Sequence, residues 1–263
     1  MYEFNYQKAG SVAEAAKLAT GEAKILAGGM TLIPTLKMRL AKPSALIDIS
    51  GLGELKSIKV DGGTVTIGAM TTHAEVAHSA AVKKAIPALA QLAEGIGDPQ
   101  VRNRGTIGGS IANNDPAADY PAGCIALGAT IHTNTRKIAA DAFFTGLFET
   151  ALKPGEIVTA VSFPVPEKAA YSKFPNPASR YAIVGVFVAK AKDGVRVGVT
   201  GAGPGVFRQK AMEKALSAKF APSALEGIKV EASGLNSDIH ASAAYRAHLV
   251  GVMAKRAVAA AGG

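Results

Sequence analysis

Two short glycine-rich segments hold the residues best able to bind a ligand through their backbone. They are residues 25–32 (ILAGGMTL) and residues 106–110 (TIGGS). In each, paired glycines precede an apolar stretch that is compatible with a helix. Glycine adopts positive φ readily and places no Cβ between the backbone and a ligand. Because successive free N–H groups at such a turn bind anions, two such loops suit a diphosphate that joins two mononucleotides.

The common nucleotide-binding motifs are absent from the sequence. No G-x-G-x-x-G lies between a strand and a helix, and no G-K-[ST] ends a glycine-rich loop. The sequence therefore indicates neither a Rossmann domain nor a P-loop NTPase. Paired glycines also occur in ordinary turns, so the spacing alone leaves both a plain turn and a ligand-binding loop open.

Several polar residues each allow a structural and a ligand-binding interpretation. Asp115 either caps the following helix or contacts a ligand, and the position of Asp119 by itself favours a helix cap. Arg102 and Arg104 either pair with a phosphate or face a partner subunit. His73 either lines a cavity or is a partly buried histidine with its hydrogen bonds satisfied.

No group of side chains in the sequence is typical of a catalytic or metal-binding centre. There is no Ser/His/Asp or Cys/His arrangement, and His132 and His240 lack the spacing of metal ligands. The single cysteine, Cys124, excludes an internal disulfide, a cysteine-ligated zinc site and an iron–sulfur cluster within this chain. We expect Cys124 to pack as a small apolar residue.

Composition points to a globular protein with a net positive charge. The chain has 263 residues, of which 48% are hydrophobic, and a formal charge of +9. No apolar run approaches the ~20 residues of a membrane span, and the first residues lack a signal-peptide pattern, so we expect a cytoplasmic protein. The basic residues are scattered and do not alternate with aromatic residues, which argues against nucleic-acid binding. An anionic ligand or an acidic partner explains the charge equally well.

The elements that must position the glycine segments follow from periodicity and turn signals. Ser11 and Glu14 stand at the spacing of a capping box, which predicts a helix over residues 11–20. Asp61, Gly62 and Gly63 predict the turn of a hairpin. The other predicted elements before residue 168 are strands at 23–28, 45–50, 129–134, 137–140 and 156–165, a helix directly after the first glycines, and helices at 71–79, 81–95 and 141–148.

The pattern changes near residue 168, where we place a domain boundary. Strands at 181–191 and 195–203 are joined by a turn and form an antiparallel hairpin. Helices at 209–220 and 242–261 are expected to pack on its inner face. The predicted fold class is α+β, with a ligand-binding domain at 1–168, made of two α/β lobes split near residue 55, and a small C-terminal domain of antiparallel sheet plus helices at 169–263.

Four long segments resemble the FAD-binding medium subunits of molybdenum hydroxylases, the family of xanthine dehydrogenase and aerobic carbon monoxide dehydrogenase. They are AGGMTLIPTLKMR, RNRGTIGGSIANNDPAAD, FFTGLFETALKPGEIV and SDIHASAAYRAHLVGVMAKRAV, in the family's order. The resemblance covers nearly the whole chain. It implies a two-lobed, non-Rossmann FAD-binding domain of the PCMH type, followed by a C-terminal domain of the carbon monoxide dehydrogenase flavoprotein type.

The resemblance also implies which residues contact FAD. The first loop would wrap the diphosphate, the second would close on it from the other lobe, and Asp119 would accept hydroxyls of the ribityl chain or ribose. Lys173, in a loop before the hairpin, would stabilise negative charge on the reduced flavin. The complete set of implied cofactor contacts is Ile25, Leu26, Ala27, Gly28, Gly29, Met30, Thr31, Leu32, Ile96, Thr106, Ile107, Gly108, Gly109, Ser110, Asp119, Val158 and Lys173.

By the same resemblance, the chain is one subunit of a larger oxidoreductase. A large subunit would hold the molybdenum cofactor and a small subunit two [2Fe–2S] clusters, which pass electrons through FAD on this chain to an external acceptor. The complex would be a dimer of heterotrimers. Two other functions stay open, a self-sufficient FAD-dependent oxidoreductase of related fold and a non-catalytic nucleotide-binding module. The substrate (carbon monoxide, a purine, another heterocycle or an aldehyde) and the acceptor (NAD, quinone or oxygen) are also left open.

Overall fold

The first 50 residues build a small parallel sheet that carries the first glycine loop. The computed structural model describes residues 1–263, and its first sheet has the strand order β1-β3-β2, with both strand pairs parallel. The predicted cap is confirmed, because the Ser11 hydroxyl accepts the N–H of Glu14 at 3.1 Å. The elements are β1 (Asn5–Lys8), α1 (Val12–Leu18), β2 (Lys24–Leu26), α2 (Leu32–Lys37) and β3 (Ala45–Asp48).

A five-stranded antiparallel sheet, with most of its helices inserted between its second and third strands in sequence, forms the second lobe. Its strand order is β4-β5-β10-β6-β7. The predicted hairpin is confirmed, and its turn residues Gly62 and Gly63 have φ of +53° and +78°, as a two-residue type I′ turn requires. The elements are β4 (Ile58–Asp61), β5 (Thr64–Gly68), α3 (His73–His78), α4 (Ala80–Ala85), α5 (Pro87–Glu94), α6 (Pro99–Arg102), α7 (Ile107–Asn113), α8 (Asp119–Ala126), β6 (Thr130–Thr133), β7 (Lys137–Ala139), α9 (Ala140–Phe143), β8 (Phe144–Gly146), β9 (Glu149–Thr150) and β10 (Val158–Pro164).

The predicted helix at 141–148 is wrong beyond its first turn. The helix α9 ends at Phe143, and β8 and β9 form a short antiparallel hairpin in its place. The physical reason lies at Asn114, whose side-chain amide donates to the carbonyls of Gly146 and Glu149 at 2.9 and 2.7 Å. This tertiary contact holds the backbone extended where the local pattern favours a helix.

The last hundred residues form a four-stranded antiparallel sheet and two packed helices. The strand order is β11-β12-β13-β14. The expected packing of the two C-terminal helices on this sheet is confirmed, since they share its core. The division into two domains stays a prediction. The elements are β11 (Lys168–Pro175), β12 (Ala182–Ala191), β13 (Gly194–Thr200), β14 (Phe207–Arg208), α10 (Lys210–Ala218) and α11 (Ala243–Ala260), with 3-10 helices at Gly53–Leu55 and Pro222–Leu225.

The strand β12 is buried on both faces, which explains its unbroken apolar sequence. Phe187 and Ala189 join the core formed with α5 and α8, whereas Val184 and Val186 join the core formed with α11. The C-terminal sheet therefore lies between the helices of the second lobe and its own helices. None of the helices combines the length and apolarity that a membrane span requires.

Candidate functional site

The first glycine loop presents a row of unpaired backbone donors. It joins β2 to α2, and none of the backbone N–H groups of residues 27–32 donates a hydrogen bond to a protein acceptor. Gly29 has φ +75°, a conformation that side chains with a Cβ disfavour. Met30 and Thr31 are exposed, and the other residues of the loop are half-buried. Six consecutive free donors on an accessible loop are suited to bind an anion such as a diphosphate.

The structure brings the two glycine segments into direct contact. A Cβ added to Gly28 would lie 1.9 Å from the carbonyl oxygen of Arg104, just before the second loop. A Cβ added to Gly109 would lie 3.7 Å from the Cβ of Ala27. The close approach at Gly28 leaves no room for a side chain, so the paired glycines in the first loop serve both conformation and contact.

The second glycine loop differs, because its N–H groups are already used. The Ile107 and Gly108 N–H groups donate to the carbonyls of Thr71 and Ala69 at 3.1 and 2.9 Å. The Gly109 N–H donates to the Thr106 hydroxyl at 3.1 Å. The expectation of a second row of free N–H groups is therefore wrong. What this loop offers is the half-buried surface of Gly109 and Ser110, with a Ser110 hydroxyl that has no protein partner.

Asp119 and Lys173 form a buried ion pair at the start of α8. Asp119 is 4% exposed, and the Lys173 ammonium lies 3.1 Å from its Oδ1 and 3.2 Å from its Oδ2. Lys173 also donates to the carbonyls of Gly95 and Arg180, at 2.7 and 3.0 Å. The hydroxyl of Tyr171 donates to Oδ1 of Asp119. Lys173 lies within β11 and not in a loop, which corrects the sequence-based placement.

The charges of this cluster depend on one another. Burial raises the pKa of the Asp119 carboxyl, while Lys173 and the Tyr171 hydroxyl counteract that rise. Burial raises the pKa of Tyr171 well above its ordinary value, and the Asp119 charge raises it further. A carboxylate with so little contact with water needs these partners to stay ionised.

A turn at residues 95–97, which contains Ile96, is held by three cations. Lys173 binds the carbonyl of Gly95, and Arg102 binds those of Ile96 and Gly97 at 3.1 and 2.9 Å. Arg180 reaches the Gly97 carbonyl at 3.2 Å. Arg102 therefore has a structural role. Arg104 is exposed and makes no side-chain hydrogen bond or ion pair, so both interpretations of Arg104 stay open.

Two further sequence-based interpretations change in the structure. Asp115 does not cap α8, because its carboxylate accepts the N–H of Ala117 at 2.8 Å within the preceding turn. His73 is 4% exposed and its Nδ1 has no hydrogen-bond partner, so the expectation of a satisfied histidine is wrong at that atom. Burial, with the nearby Arg102 charge, lowers the pKa of His73 to about 4.

Val158 lies apart from the accessible surfaces of the loops. Its side chain is 5% exposed and belongs to the core of the second lobe. The next residue, Thr159, accepts the N–H of Ala69 at 2.9 Å, and Ala69 is the residue against which Gly108 packs. Val158 is therefore placed to support the second loop from beneath.

Sequence reasoning missed two tyrosines that the structure places beside the predicted residues. Tyr171 binds Asp119, as described above. Tyr181, directly before β12, is 42% exposed and lies near Thr31 of the first loop and near the Asp115 and Asp119 carboxylates. Both belong to the C-terminal segment, and their only signal in the sequence is their closeness to Lys173 and to the hairpin.

The fold and the site together define a two-lobed, non-Rossmann cofactor-binding protein. The first lobe supplies the loop with free N–H donors, and the second lobe places its glycine segment against that loop. The C-terminal segment contributes Lys173 and the two tyrosines. No three His, Cys, Asp or Glu side chains lie together as a metal site requires.

Comparison with known proteins narrows this class to one family. A family model described as the FAD binding domain in molybdopterin dehydrogenase matches residues 2–166. The carbon monoxide dehydrogenase medium chain of Hydrogenophaga pseudoflava is 36% identical over 98% of this chain and 96% of its own length. The glyceraldehyde dehydrogenase medium chain of Sulfolobus acidocaldarius is 36% identical over 97% of each protein.

Solved structures agree with these relatives. A structure of carbon monoxide dehydrogenase from Hydrogenophaga pseudoflava, in a form lacking the Mo-pyranopterin moiety, superposes with a TM-score of 0.90 at 35% identity, over 99% of this chain and 97% of that one. The predicted fold class is confirmed. The chain belongs to the family of FAD-binding medium subunits of molybdenum hydroxylases, and it is an oxidoreductase subunit.

Proposed function

We propose that this chain holds FAD where its two glycine loops meet, and that electrons from [2Fe–2S] clusters on a partner subunit leave the complex through it. The observation that carries the proposal is the row of free N–H groups at residues 27–32. A diphosphate offers that row the acceptors it lacks within the protein. FAD, when bound, supplies the redox chemistry, which fits the lack of a catalytic side-chain arrangement in this chain.

The residues of the chain then act by binding and orientation. Residues 27–32 hold the diphosphate, and Ser110 offers a hydroxyl from the facing loop. Asp119, which is paired with Lys173, is placed to accept a hydroxyl of the cofactor. The cation-bound turn at residues 95–97 keeps Ile96 in place as an apolar contact. The whole set of contacts implied by the resemblance is kept as part of this proposal, with Val158 acting from beneath the second loop.

The partners follow from the subunit's place in the family. The relatives are named as medium chains and medium subunits, which implies a large and a small partner. We propose a large molybdenum-binding subunit and a small iron–sulfur subunit, assembled as a dimer of heterotrimers in the cytoplasm. The substrate is bound by the large subunit, so its identity does not follow from this chain.

An absorbance spectrum of the purified chain tests the proposal. We expect a chain reconstituted with FAD and then desalted to keep a flavin spectrum, and the visible bands to bleach on addition of dithionite. A chain that folds but loses all FAD on desalting, with no saturable binding in a titration, would contradict the proposal. Nucleotide binding without retained flavin would favour a regulatory nucleotide-binding module.

A further inference from the structure

The phenol of Tyr171 is held more firmly than a tyrosine with only a packing role requires. Its hydroxyl donates to Oδ1 of Asp119, and its ring stacks on Phe187 with centroids 6.1 Å apart and planes at 28°. Tyr171 and Phe187 are direct partners in the β11–β12 register. The ring is thus fixed by a cross-strand pair, and its hydroxyl points at one carboxylate oxygen.

Gly185 is the residue that makes room for this hydroxyl. A Cβ at Gly185 would lie 2.2 Å from the Tyr171 hydroxyl oxygen and 2.9 Å from Cζ. Gly185 sits inside β12 and its φ is not positive, so backbone conformation does not require glycine here. The same Cβ would lie 2.9 Å from Cγ2 of Thr200. Since glycine weakens a strand interior, the space taken by the phenol, which makes the shortest of these contacts, and by the Thr200 methyl group is the physical reason for it.

Lys173 alone does not fix the Asp119 carboxylate. The ammonium lies almost equally far from the two oxygens, at 3.1 and 3.2 Å, and it is shared with the carbonyls of Gly95 and Arg180. Tyr171 binds only Oδ1, so it selects one orientation and leaves Oδ2 with the lysine alone. A residue that makes such a hydrogen bond affects ligand binding by orienting another side chain, and does not contact the ligand itself.

We propose that Tyr171 is a positioning residue of the flavin site, which orients Asp119 so that Oδ2 accepts a cofactor hydroxyl, and that Gly185 lacks a side chain to admit the Tyr171 phenol. This inference rests on the proposed function, in which Asp119 binds FAD. It adds a residue from the C-terminal sheet that controls binding through Asp119.

The first measurement is the FAD dissociation constant of the full chain at neutral pH, from titration of the apoprotein with FAD. Tyr171→Phe removes only the hydroxyl, and Gly185→Ala displaces the phenol without changing it. We expect each to weaken binding about five- to twentyfold, the effect of losing one charge-assisted hydrogen bond. The double variant should bind FAD at most about twofold more weakly than the single variant of lower affinity, because both substitutions act on the one hydrogen bond between Tyr171 and Asp119. Tyr245→Phe is the matched control, since this exposed tyrosine of α11 uses its ring against Phe174.

The pH dependence of FAD binding separates positioning from a purely structural role. Asp119 faces Lys173 and Tyr171 on β11, Tyr120 beside it on α8, and Tyr181 directly before β12. Burial raises the pKa values of all three tyrosines. Burial also raises the pKa of the Asp115 carboxyl, which lies near Tyr181. Asp115 and Asp119 therefore both lose charge on acidification, and of the two only Asp119 is bound by Tyr171. Loss of the Tyr171 hydrogen bond raises the pKa of Asp119, so FAD affinity should start to fall at a higher pH in Tyr171→Phe than in the wild type.

The possible outcomes are distinguishable. If the wild type binds FAD and Tyr171→Phe binds it equally well at every pH, the positioning role is wrong and the proposed function stands. An equal weakening of the variant at every pH, with no shift of the acid limb, would also overturn it, since that is the effect of a structural defect. If the wild type binds no FAD, the proposed function and the role of Tyr171 fail together.

Discussion

At the scale of single residues, glycines of the two loops meet different physical requirements. Gly29 has a positive φ, while Gly28 has an ordinary one and lies against the Arg104 carbonyl. Gly108 is buried, and a Cβ there would lie 2.5 Å from the Cβ of Ala69. Only the first loop combines this packing with free N–H groups. Substitutions in the first loop should therefore lower both packing stability and cofactor affinity, whereas a substitution at Gly108 should act first through loss of packing.

Gly28→Ala tests the close approach of the loops. The added methyl group would lie 1.9 Å from the Arg104 carbonyl oxygen, so the loops must separate, and we expect FAD affinity to fall at least tenfold. The unfolding free energy should fall by about 1–3 kcal/mol, as for other overpacked sites. Titration with FAD and urea unfolding measure the two effects. Gly53→Ala is the control, because a Cβ there meets nothing within 4 Å. Equal FAD affinity in the two variants would show that the contact between Gly28 and Arg104 does not shape the site.

At the scale of elements, local patterns predicted most of the framework but not the contacts between distant segments. The capped α1, the hairpin at Gly62 and Gly63 and the helix after the first glycine pair follow from short-range signals. The second glycine pair differs from the expectation, because Gly108 and Gly109 lie within the first turn of α7 and do not precede it. The β8–β9 hairpin does not follow from local signals, because Asn114 holds it through hydrogen bonds from another part of the chain. Lys173 was misplaced for a related reason, since β11 pairs with β12 although its polar residues resemble a loop. The unpaired N–H groups of the first loop, and the paired ones of the second, depend on tertiary partners that spacing does not reveal.

Glu156 shows how a loop element is fixed beside β10. Its Oε1 accepts from Thr133, Thr135 and Arg136 at 2.7, 3.0 and 2.8 Å, and its Oε2 accepts from Arg136 and the Lys153 N–H at 3.0 and 2.9 Å. These bonds hold the pKa of Glu156 far below its ordinary value of 4.5, with the Arg136 bond the largest cause. One carboxylate thus joins the turn between β6 and β7 to the loop that leads into β10.

Glu156→Gln should lower the unfolding free energy by about 1–3 kcal/mol at pH 7, since it weakens charge-assisted bonds to partly buried groups. Because the folded-state pKa is depressed, the stabilisation from the charge is fully present above the unfolded value of 4.5. It is lost as the pH falls below that value toward the folded one. Urea unfolding at a series of pH values should therefore show the two proteins converging only in acid. The control is Glu226→Gln, at an exposed glutamate without an ion pair, and its unfolding free energy should match that of the wild type. If the unfolding free energy of the wild type exceeded that of Glu156→Gln by the same amount down to pH 3, the stabilising role of the Glu156 charge would be contradicted.

At the scale of the whole molecule, the proposed site combines segments of both lobes with residues of the C-terminal segment. The matched FAD-binding region ends at residue 166 and contains both glycine loops. Lys173 and Tyr171 come from the C-terminal sheet, and Tyr181 directly precedes its strand β12. The Lys173 ammonium reaches back to Gly95 and Asp119. The C-terminal sheet is thus part of the proposed flavin site as well as a neighbour of it. The single cysteine is buried in the core with its pKa raised by burial. One cysteine cannot ligate an iron–sulfur cluster, which is why the proposed function places the clusters on a partner subunit.

Assembly with partner subunits is the prediction at this scale. A flavin fed by clusters on another chain must lie near an interface, and the formal charge of +9 suits docking against acidic surfaces. We expect co-expression with the small iron–sulfur and large molybdenum subunits to yield one complex, with the mass of a dimer of heterotrimers in size-exclusion chromatography with light scattering. The isolated chain should keep FAD yet oxidise no hydroxylase substrate. Three chains that elute separately would contradict the assembly, and substrate turnover by this chain alone would favour a self-sufficient flavoenzyme.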